Sequence, residues 1–311
     1  MPPASLIVDC DPGVDDAIAL LLAFSAADRL DLLAITTVAG NVSAELTARN
    51  ARIIRQIAGR EDVPVYAGAR TPMIRPPVAA SHFHGESGLG SLEVFEPAVP
   101  RAEGEAAAAI VELLMHHPAG SISIAAIGPM TNLALAMRLE PAIVARIARI
   151  VVMGGARREG GNITASAEYN VFADPHAAQL VFGSGCPIVV LGLDATHQVR
   201  TTPARLAALK AIGRPLATAA ALLLEFSRDV ERRLVGGEAP PLHDPCVIAW
   251  LLAPELFTDV PVALEVETAS PLTLGHTAVE FRLEDPAAAT VRWVTEVDAE
   301  GVFALLMERL A

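Results

Sequence analysis

The sequence predicts an α/β fold, Rossmann-like, with a mostly parallel sheet flanked by helices. Short runs that are apolar on both faces alternate with segments of helical periodicity, which is typical of a parallel sheet covered on both sides. The first predicted strands lie at residues 5–9, 32–38, 63–66, 121–127, 149–153 and 187–193. Helices are predicted between them at residues 14–26, 43–58, 103–117, 131–147 and 173–183.

The rest of the chain continues with both kinds of element. Helices are predicted near residues 203–233 and 245–252, strands near 261–267 and 290–297, and a last helix near 298–310. No glycine-, serine- or proline-rich linker divides the chain, so residues 1–311 are interpreted as one domain. Residues 67–100 have no clear pattern, and a loop of that length in a compact domain is usually functional or mobile.

Composition excludes several classes of partner. The chain is 52% hydrophobic, enough for a large core, and its net charge of −13 repels nucleic acid and anionic membranes. The longest apolar runs are too short to span a bilayer, and the N-terminus has no basic segment typical of a signal peptide. Three scattered cysteines do not form a disulfide framework. We therefore expect a cytoplasmic protein with neither a nucleic acid nor a membrane partner.

Polar and glycine-containing segments follow the predicted strands. "DPG" follows the first strand, Gly40 and Asn41 the second, "GPMTN" the run ending at Ile127, "GGA" follows Met153, and Asp194 the run ending at Leu193. In an open α/β sheet these points share the carboxyl edge, where ligands bind. The sequence therefore predicts one site at that edge before any motif is considered.

The densest signal is "DCDPGVDD", which places Asp9, Asp11, Asp15 and Asp16 within eight positions. Two like charges about 4 Å apart near a protein surface repel by roughly 4 kcal/mol. Helix capping explains one or two of these acids but not four. A divalent cation bound by the carboxylates removes the repulsion. Adjacent helical residues point about 100° apart, so Asp15 and Asp16 are expected to have different tasks.

Three known motifs compete for this segment. An EF-hand loop starting at Asp9 fails, because Gly13 and Leu20 occupy its fifth and twelfth positions. A haloacid-dehalogenase-type phosphatase would make Asp9 a nucleophile, but it expects Thr or Val where Gly13 stands. The segment "DCDPGVDDA" resembles most closely the N-terminal signature of the inosine-uridine nucleoside hydrolase family.

The resemblance extends along almost the whole chain. Eight further segments are similar to family blocks, in order: "ITTVAGN" (35–41), "HFHGESGLG" (82–90), "GPMTNLALA" (128–136), "VVMGG" (151–155), "NITASAEYNVFADPHAA" (162–178), "GLDATH" (192–197), "HDPC" (243–246) and "LTLGHT" (272–277). The resemblance implies calcium-dependent hydrolysis of the N-glycosidic bond of ribonucleosides to ribose and free base. It also implies a homodimer or homotetramer.

By this resemblance, Ca²⁺ is bound by Asp11, Asp16, Asp244 and the backbone carbonyl of Ile127. These groups leave room for water and two sugar hydroxyls within the 6–8 ligands that Ca²⁺ takes. Asp15 is the candidate general base that takes the proton of a water molecule. Asp9 is expected either to orient Asn41 or another nearby group, or to be a satisfied acid at the strand end.

The remaining candidates bind the sugar and the base. Asn41, Asn162, Glu168 and Asn170 are candidate ribose ligands, and the last two are expected on one face of an extended segment. Met153 and Tyr169 are predicted to form apolar walls, His84 to reach the base or sugar, and His82 to be structural. His243 is the candidate acid for the leaving base, because histidine titrates near neutrality.

One region departs from the family pattern. Purine-active relatives carry tyrosines on the helix before "HDPC", whereas residues 222–242 here contain Phe226 and no tyrosine. Glu231, Arg232 and Arg233 occupy this neighbourhood, and the two arginines are candidates for either a base contact or surface ion pairs. The preferred base therefore stays open. A catalytically silent nucleoside-binding protein is a further alternative, against which the retained Asp15 and His243 argue.

Overall fold

The computed structural model describes residues 3–311, and these residues form a nine-stranded sheet. The strands are β1 (Ala4–Cys10), β2 (Leu30–Thr37), β3 (Val65–Ala67), β4 (Ile122–Ala126), β5 (Ile147–Met153), β6 (Ile188–Leu191), β7 (Phe257–Val266), β8 (Thr277–Glu280) and β9 (Val291–Val297). Their order is β3-β2-β1-β4-β5-β6-β9-β7-β8, and β1 lies between β2 and β4. The predicted α/β class is confirmed.

Twelve α-helices lie within the same described residues. They are α1 (Val14–Ser25), α2 (Ala44–Ile57), α3 (Ser81–His84), α4 (Ala106–His116), α5 (Thr131–Leu139), α6 (Tyr169–Ala173), α7 (Pro175–Phe182), α8 (Leu193–Thr196), α9 (Pro203–Ile212), α10 (Pro215–Val235), α11 (Pro245–Leu252) and α12 (Ala299–Leu310). No helix within residues 3–311 has both the length and the apolarity required to cross a bilayer.

Two predicted helical segments differ from the helices in the structure. The prediction for 131–147 is wrong after Leu139, because Pro141 lacks an N–H and Glu140 before it is extended. A 3₁₀ segment, Pro141–Arg146, leads from there directly into β5. Residues 203–233 form two helices, α9 and α10. They are separated because Gly213 adopts a left-handed conformation with φ 67° and Pro215 begins α10.

The C-terminal edge of the sheet is antiparallel, which the sequence pattern did not predict. β7 pairs antiparallel with β9 on one side and with β8 on the other, and β8 was missed altogether. Strands β1 to β6 pair parallel with one another, and β9 pairs parallel with β6. The short helices α3, α6 and α8 were also missed, since each spans five residues or fewer.

The hydrophobic core lies on both faces of the sheet. Side chains alternate along β1, so Leu6 and Val8 pack against α1 and the C-terminal helices, while Ile7 packs on the face covered by α4, α5 and α7. Because both faces are covered, Asp9 and Asp11 lie at the carboxyl end of a strand that is buried from Leu6 onwards. The fold thus places carboxylates at an edge from which water is largely excluded.

Candidate active site

The predicted acidic cluster forms at the carboxyl end of β1. Asp11, Asp16 and Asp244 are buried, whereas Asp15 keeps 25% of its side chain exposed. Carboxylate oxygens of Asp15, Asp16 and Asp244 lie within 4.8 Å of one another. The carboxylate of Asp16 caps the start of α1, accepting hydrogen bonds from the backbone N–H groups of Asp11 and Gly13, each at 3.0 Å.

The fold disfavours the ionised forms of the carboxylates in this cluster. Burial, followed by the neighbouring carboxylates, raises the pKa of Asp11 and of Asp244 well above the ordinary range, and raises that of Asp16 to about 7. Asp11 Oδ1 and Asp15 Oδ1 are buried and accept no hydrogen bond among the described residues. These hard oxygen donors in one cavity fit a divalent metal ion.

Two glycines allow the backbone to pack against Asp11. A Cβ atom at Gly128 would lie 2.6 Å from Asp11 Oδ1, and one at Gly40 would collide with Asp11 Oδ2. Both positions therefore exclude any side chain without displacement of this carboxylate. The glycines that the sequence places after β2 and β4 thus have a packing function at the site.

Asn41 braces the acidic cluster from the end of β2. Its backbone N–H donates to Asp11 Oδ2 at 2.7 Å, and its Nδ2 donates to Asp11 O at 3.1 Å and to Asp16 Oδ2 at 3.0 Å. Asn41 also lines the cavity. Its predicted contact with ribose stays a prediction.

Asp9 makes no hydrogen bond to Asn41, and its contact with Asn132 matches the alternative expectation that it orients another nearby group. Its Oδ1 instead accepts hydrogen bonds from Thr36 Oγ1 at 2.6 Å and Asn132 Nδ2 at 2.8 Å. Thr36 lies opposite Asp9 in the parallel pairing of β1 with β2, which explains the first bond. Burial raises the pKa of Asp9 to about 7. Asp9 does not line the cavity, and Asn132 is a supporting residue that sequence reasoning missed.

The segment around α6 forms another part of the cavity wall. Glu168 caps this helix, accepting from the N–H groups of Asn170 at 2.8 Å, Val171 at 3.1 Å and Gly155 at 2.9 Å. Burial raises its pKa to about 7. The expectation that Glu168 and Asn170 share a face of an extended segment is wrong, because α6 begins at Tyr169. Both residues nevertheless line the cavity.

Asn170 connects two backbone carbonyls at the ends of neighbouring strands. Its Nδ2 donates to Ile127 O at 3.0 Å and to Met153 O at 3.2 Å. A carbonyl oxygen has two lone pairs, so Ile127 O can accept this bond and still bind a metal ion. Asn162 Oδ1 accepts from Tyr169 N at 2.9 Å. All of these residues line the cavity.

His243 lies at the cavity wall beside Asp244, as a neutral imidazole. Its Nδ1 is 2.9 Å from Thr196 Oγ1. Burial lowers its pKa to about 4, although the nearby Asp15 carboxylate opposes the shift. The prediction that His243 titrates near neutrality is therefore wrong. Thr196 was missed, although it lies in the quoted segment "GLDATH"; no sequence signal linked the hydroxyl to a ring 47 residues away.

The histidines of the long loop have different surroundings. His84 Nδ1 accepts from Val14 N at 3.1 Å and lies 3.8 Å from Asp15 Oδ1. Burial lowers the pKa of His84, and its Nδ1 must be unprotonated to accept this bond. His84 lines the cavity, whereas His82 is exposed and its ring stacks at 4.4 Å against Phe83.

These residues enclose a cavity of about 480 Å³. Side chains of α10 line one wall: Leu224, Ser227, Val230, Glu231, Leu234 and Val235. Phe226 does not line the cavity and instead packs next to Gly85 and Gly90. Arg232 is exposed and pairs with Glu238 at 2.9 Å, which favours the surface ion-pair alternative over a base contact.

Arg233 is exposed and also does not line the cavity. The cavity is also lined by His197 and Arg200, which were not among the residues predicted from the sequence. Neither belongs to a motif with a recognised chemical role, so the sequence offered no signal for Arg200 and only a family block for His197.

Comparisons with known proteins agree with this geometry. The model of the inosine-uridine preferring nucleoside hydrolase family matches residues 6–304. The chain is 42% identical to the pyrimidine-specific ribonucleoside hydrolase RihA of Salmonella gallinarum, over 98% of this chain and 97% of that protein.

Solved structures show the same fold. A plant nucleoside hydrolase superposes with a TM-score of 0.92 at 32% identity, covering 99% of both chains. A purine-preferring ribonucleoside hydrolase from Gardnerella vaginalis has a TM-score of 0.92 at 30% identity, covering 98% of both chains. The chain therefore belongs to the inosine-uridine preferring nucleoside hydrolase family. It is an N-glycosyl hydrolase that acts on ribonucleosides.

Proposed function

We propose that the protein hydrolyses ribonucleosides with one bound Ca²⁺ ion, using Asp15 as general base and His243 on the side of the leaving base. The observation that carries this proposal is the cluster of carboxylates beside the cavity, in which Asp11 Oδ1 and Asp15 Oδ1 are buried and have no hydrogen-bond partner among the described residues. Water, ribose and base can all reach this cavity, since Asp15, Asp244, Asn170 and His243 line it together.

Asp11, Asp16, Asp244 and the carbonyl of Ile127 would hold the ion. An all-oxygen donor set suits Ca²⁺, whereas Zn²⁺ prefers nitrogen and sulfur ligands. When bound, the ion would lower the pKa of a water molecule and help to fix the ribose hydroxyls. Elemental analysis of protein purified without chelators should show one calcium per chain. Asp11→Ala should lose it, and Asp62→Ala, at a surface ion pair with Arg60, should keep it.

Asp15 is suited to take the proton of the attacking water. It lines the cavity and retains 25% exposure, while Asp11 and Asp16 are fully buried and do not line it. Its Oδ1 accepts no hydrogen bond from the described residues, so no protein donor competes for this carboxylate oxygen. Glu168 and the asparagines would hold the sugar while positive charge develops on it, as in glycoside hydrolysis generally.

His243 supports departure of the base from the other side of the sugar. If Thr196 Oγ1 donates to Nδ1, the ring carries its proton on the other nitrogen, Nε2. A neutral imidazole in this tautomer donates a hydrogen bond to the base as negative charge accumulates on it. The pKa of about 4 means that His243 does not store an additional proton at neutral pH.

The two alternative functions predict different results in an activity assay. A phosphatase would need Asp9 as nucleophile, yet Asp9 is fully buried, hydrogen-bonded to Thr36 and Asn132, and outside the cavity lining. Incubation with uridine, the substrate suggested by the pyrimidine-specific relative, should release free ribose and uracil. Binding of uridine without ribose release would favour the silent binding protein, and phosphate release from a sugar phosphate would favour the phosphatase.

A further inference from the structure

An ion pair on the cavity wall has no part in the chemistry described above. Arg200 and Glu231 both line the cavity, and Arg200 Nη1 lies 3.7 Å from Glu231 Oε1. The side chains are 42% and 21% exposed, so both remain accessible to a ligand. The 3.7 Å separation is too long for a hydrogen bond, which leaves the donors and acceptors of the pair available.

The ion pair lies beside the residue that faces the leaving base. The rings of His197 and His243 are 5.8 Å apart between centroids, and Arg200 Nε donates to His197 O at 2.9 Å. Arg200 is also close enough to His243 to oppose its protonation. The guanidinium of Arg200 and the carboxylate of Glu231 therefore lie on the part of the cavity wall next to His243, which we call the base side.

Both side chains are held in place. Arg200 Nη1 donates to Ala239 O at 3.3 Å, while Nη2 has no acceptor among residues 3–311. A Cβ atom at Gly237 would lie 2.6 Å from Glu231 Oε1, so the backbone there packs directly against the carboxylate. Within residues 3–311, the carboxylate of Glu231 accepts no hydrogen bond. A guanidinium with an unused N–H donor and a carboxylate with unused acceptors thus line the same cavity.

The next arginine along α10 provides a contrast. Arg232 donates two hydrogen bonds to Glu238, each at 2.9 Å, and both side chains point to solvent. That pair is satisfied by itself and does not line the cavity. The Arg200–Glu231 pair is unsatisfied and lines it, which is the arrangement expected of a ligand-binding pair.

We infer that Arg200 and Glu231 bind the edge of the base at which an N–H group adjoins a carbonyl. This inference rests on the proposed function and adds the substrate class that the site prefers. Uracil offers N3–H beside a carbonyl, and hypoxanthine offers N1–H beside a carbonyl. Glu231 accepts from the N–H group and Arg200 donates to the oxygen. Cytosine and adenine present a ring-nitrogen lone pair at the same position, which a carboxylate repels.

The test compares uridine with 3-methyluridine, in which a methyl group replaces the N3–H donor at this edge. A hydrogen bond to a charged group corresponds to about 10- to 100-fold in kcat/KM, so the wild type should prefer uridine by that factor. Glu231→Met should reduce the ratio towards one, chiefly by losing activity on uridine. Glu231→Gln keeps an acceptor and should retain part of the preference. Each ratio is measured within one variant, so partial misfolding cancels.

Asp229→Asn is the matched control, because Asp229 lies on the same helix, is paired with Arg232 and is not part of the cavity lining. This variant should keep the wild-type ratio. The inference is overturned if Glu231→Met has the wild-type ratio, or if the wild type prefers cytidine to uridine. Turnover of p-nitrophenyl riboside by the wild type distinguishes failure of this inference from failure of the proposed function. If neither this substrate nor uridine is hydrolysed, the proposed function itself fails.

Discussion

The two sides of the cavity are built in different ways. On the proposed sugar side, Asp16, Glu168 and Asn41 each make two or more hydrogen bonds with neighbours, and all three are buried. On the base side, Arg200 and Glu231 are partly exposed and unsatisfied by each other. Ribose is common to all ribonucleoside substrates, whereas the base varies.

This difference indicates where substrate specificity can change with little loss of folding stability. A buried, fully connected polar network loses several interactions when one member is replaced. A half-exposed pair at the cavity wall can be exchanged without leaving a buried charge unpaired. The curated relative is named pyrimidine-specific and a solved relative purine-preferring, although both share this fold. Variation on the base side is a simple physical explanation.

The largest effect is expected on removal of one hydroxyl from the substrate. If the 2′-hydroxyl contacts the bound ion together with Asp15 or Asn170, 2′-deoxyuridine leaves buried polar groups unpaired. Sites built to bond a hydroxyl reject analogues that lack it by ~10⁴–10⁵-fold. Values of kcat/KM for uridine and 2′-deoxyuridine measure this factor. Comparable values would contradict the proposal that buried polar groups in the cavity bind the 2′-hydroxyl of ribose.

The second effect concerns Asp15, the proposed general base that activates water. Asp15→Asn preserves size and removes basicity, so kcat should fall by ~10²–10⁴-fold while the metal content is retained. Asp62→Asn, at an exposed ion pair, should have neither effect. Asp11→Asn is measured beside them. If that variant keeps the metal and loses turnover while Asp15→Asn remains active, the role of general base passes to Asp11.

The third effect separates the two sides of the cavity directly. His243→Ala should lower kcat on uridine by ~10²–10⁴-fold, because uracil leaves poorly as an anion. It should hardly change hydrolysis of p-nitrophenyl riboside, whose leaving group departs without assistance, whereas Asp15→Asn should impair both. Thr196→Val should show a weaker form of the His243 pattern, since it removes only the bond to Nδ1. Equal losses on both substrates would assign His243 to positioning of the sugar or of Asp244.

The smallest effect is on stability. In the metal-free protein, burial raises the pKa of Asp9, Asp16 and Glu168 to about 7, from about 4 for ordinary carboxyls. The folded state then binds more protons than the unfolded state between these pH values. The free energy of unfolding should therefore fall as pH rises from about 4 to about 7. Thermal denaturation with a chelator across this range measures it.

Added Ca²⁺ should raise Tm most at the upper end of the same pH range, where the carboxylates are ionised. Asp11→Ala should lack this calcium-dependent increase. If the metal-free protein becomes steadily more stable between pH 4 and pH 7, the acidic cluster is not destabilised by burial, and the case for a required cation weakens.

The fold class and the gathering of Asp11, Asp15 and Asp16 at one edge of the sheet followed from the sequence alone. Alternating apolar runs and helical segments are local patterns, and all eight predicted strands overlap observed ones. The acids of residues 9–16 and the glycines after β2 and β4 converge because parallel strands end at one edge. The bound ion, the cytoplasmic location and the homo-oligomer stay predictions.

Only the tertiary structure decided which distant groups meet. Thr196 and His243 are 47 residues apart, and Asn132 and Asp9 are 123 apart, so no local spacing reveals these bonds. The antiparallel edge was likewise hidden, because a strand has the same pattern in either direction. Burial lowered the pKa of His243 to about 4, an effect of the surrounding fold rather than of its neighbours in sequence. Arg200 and Glu231 form an ion pair because the fold places α10 at the same cavity wall as Arg200.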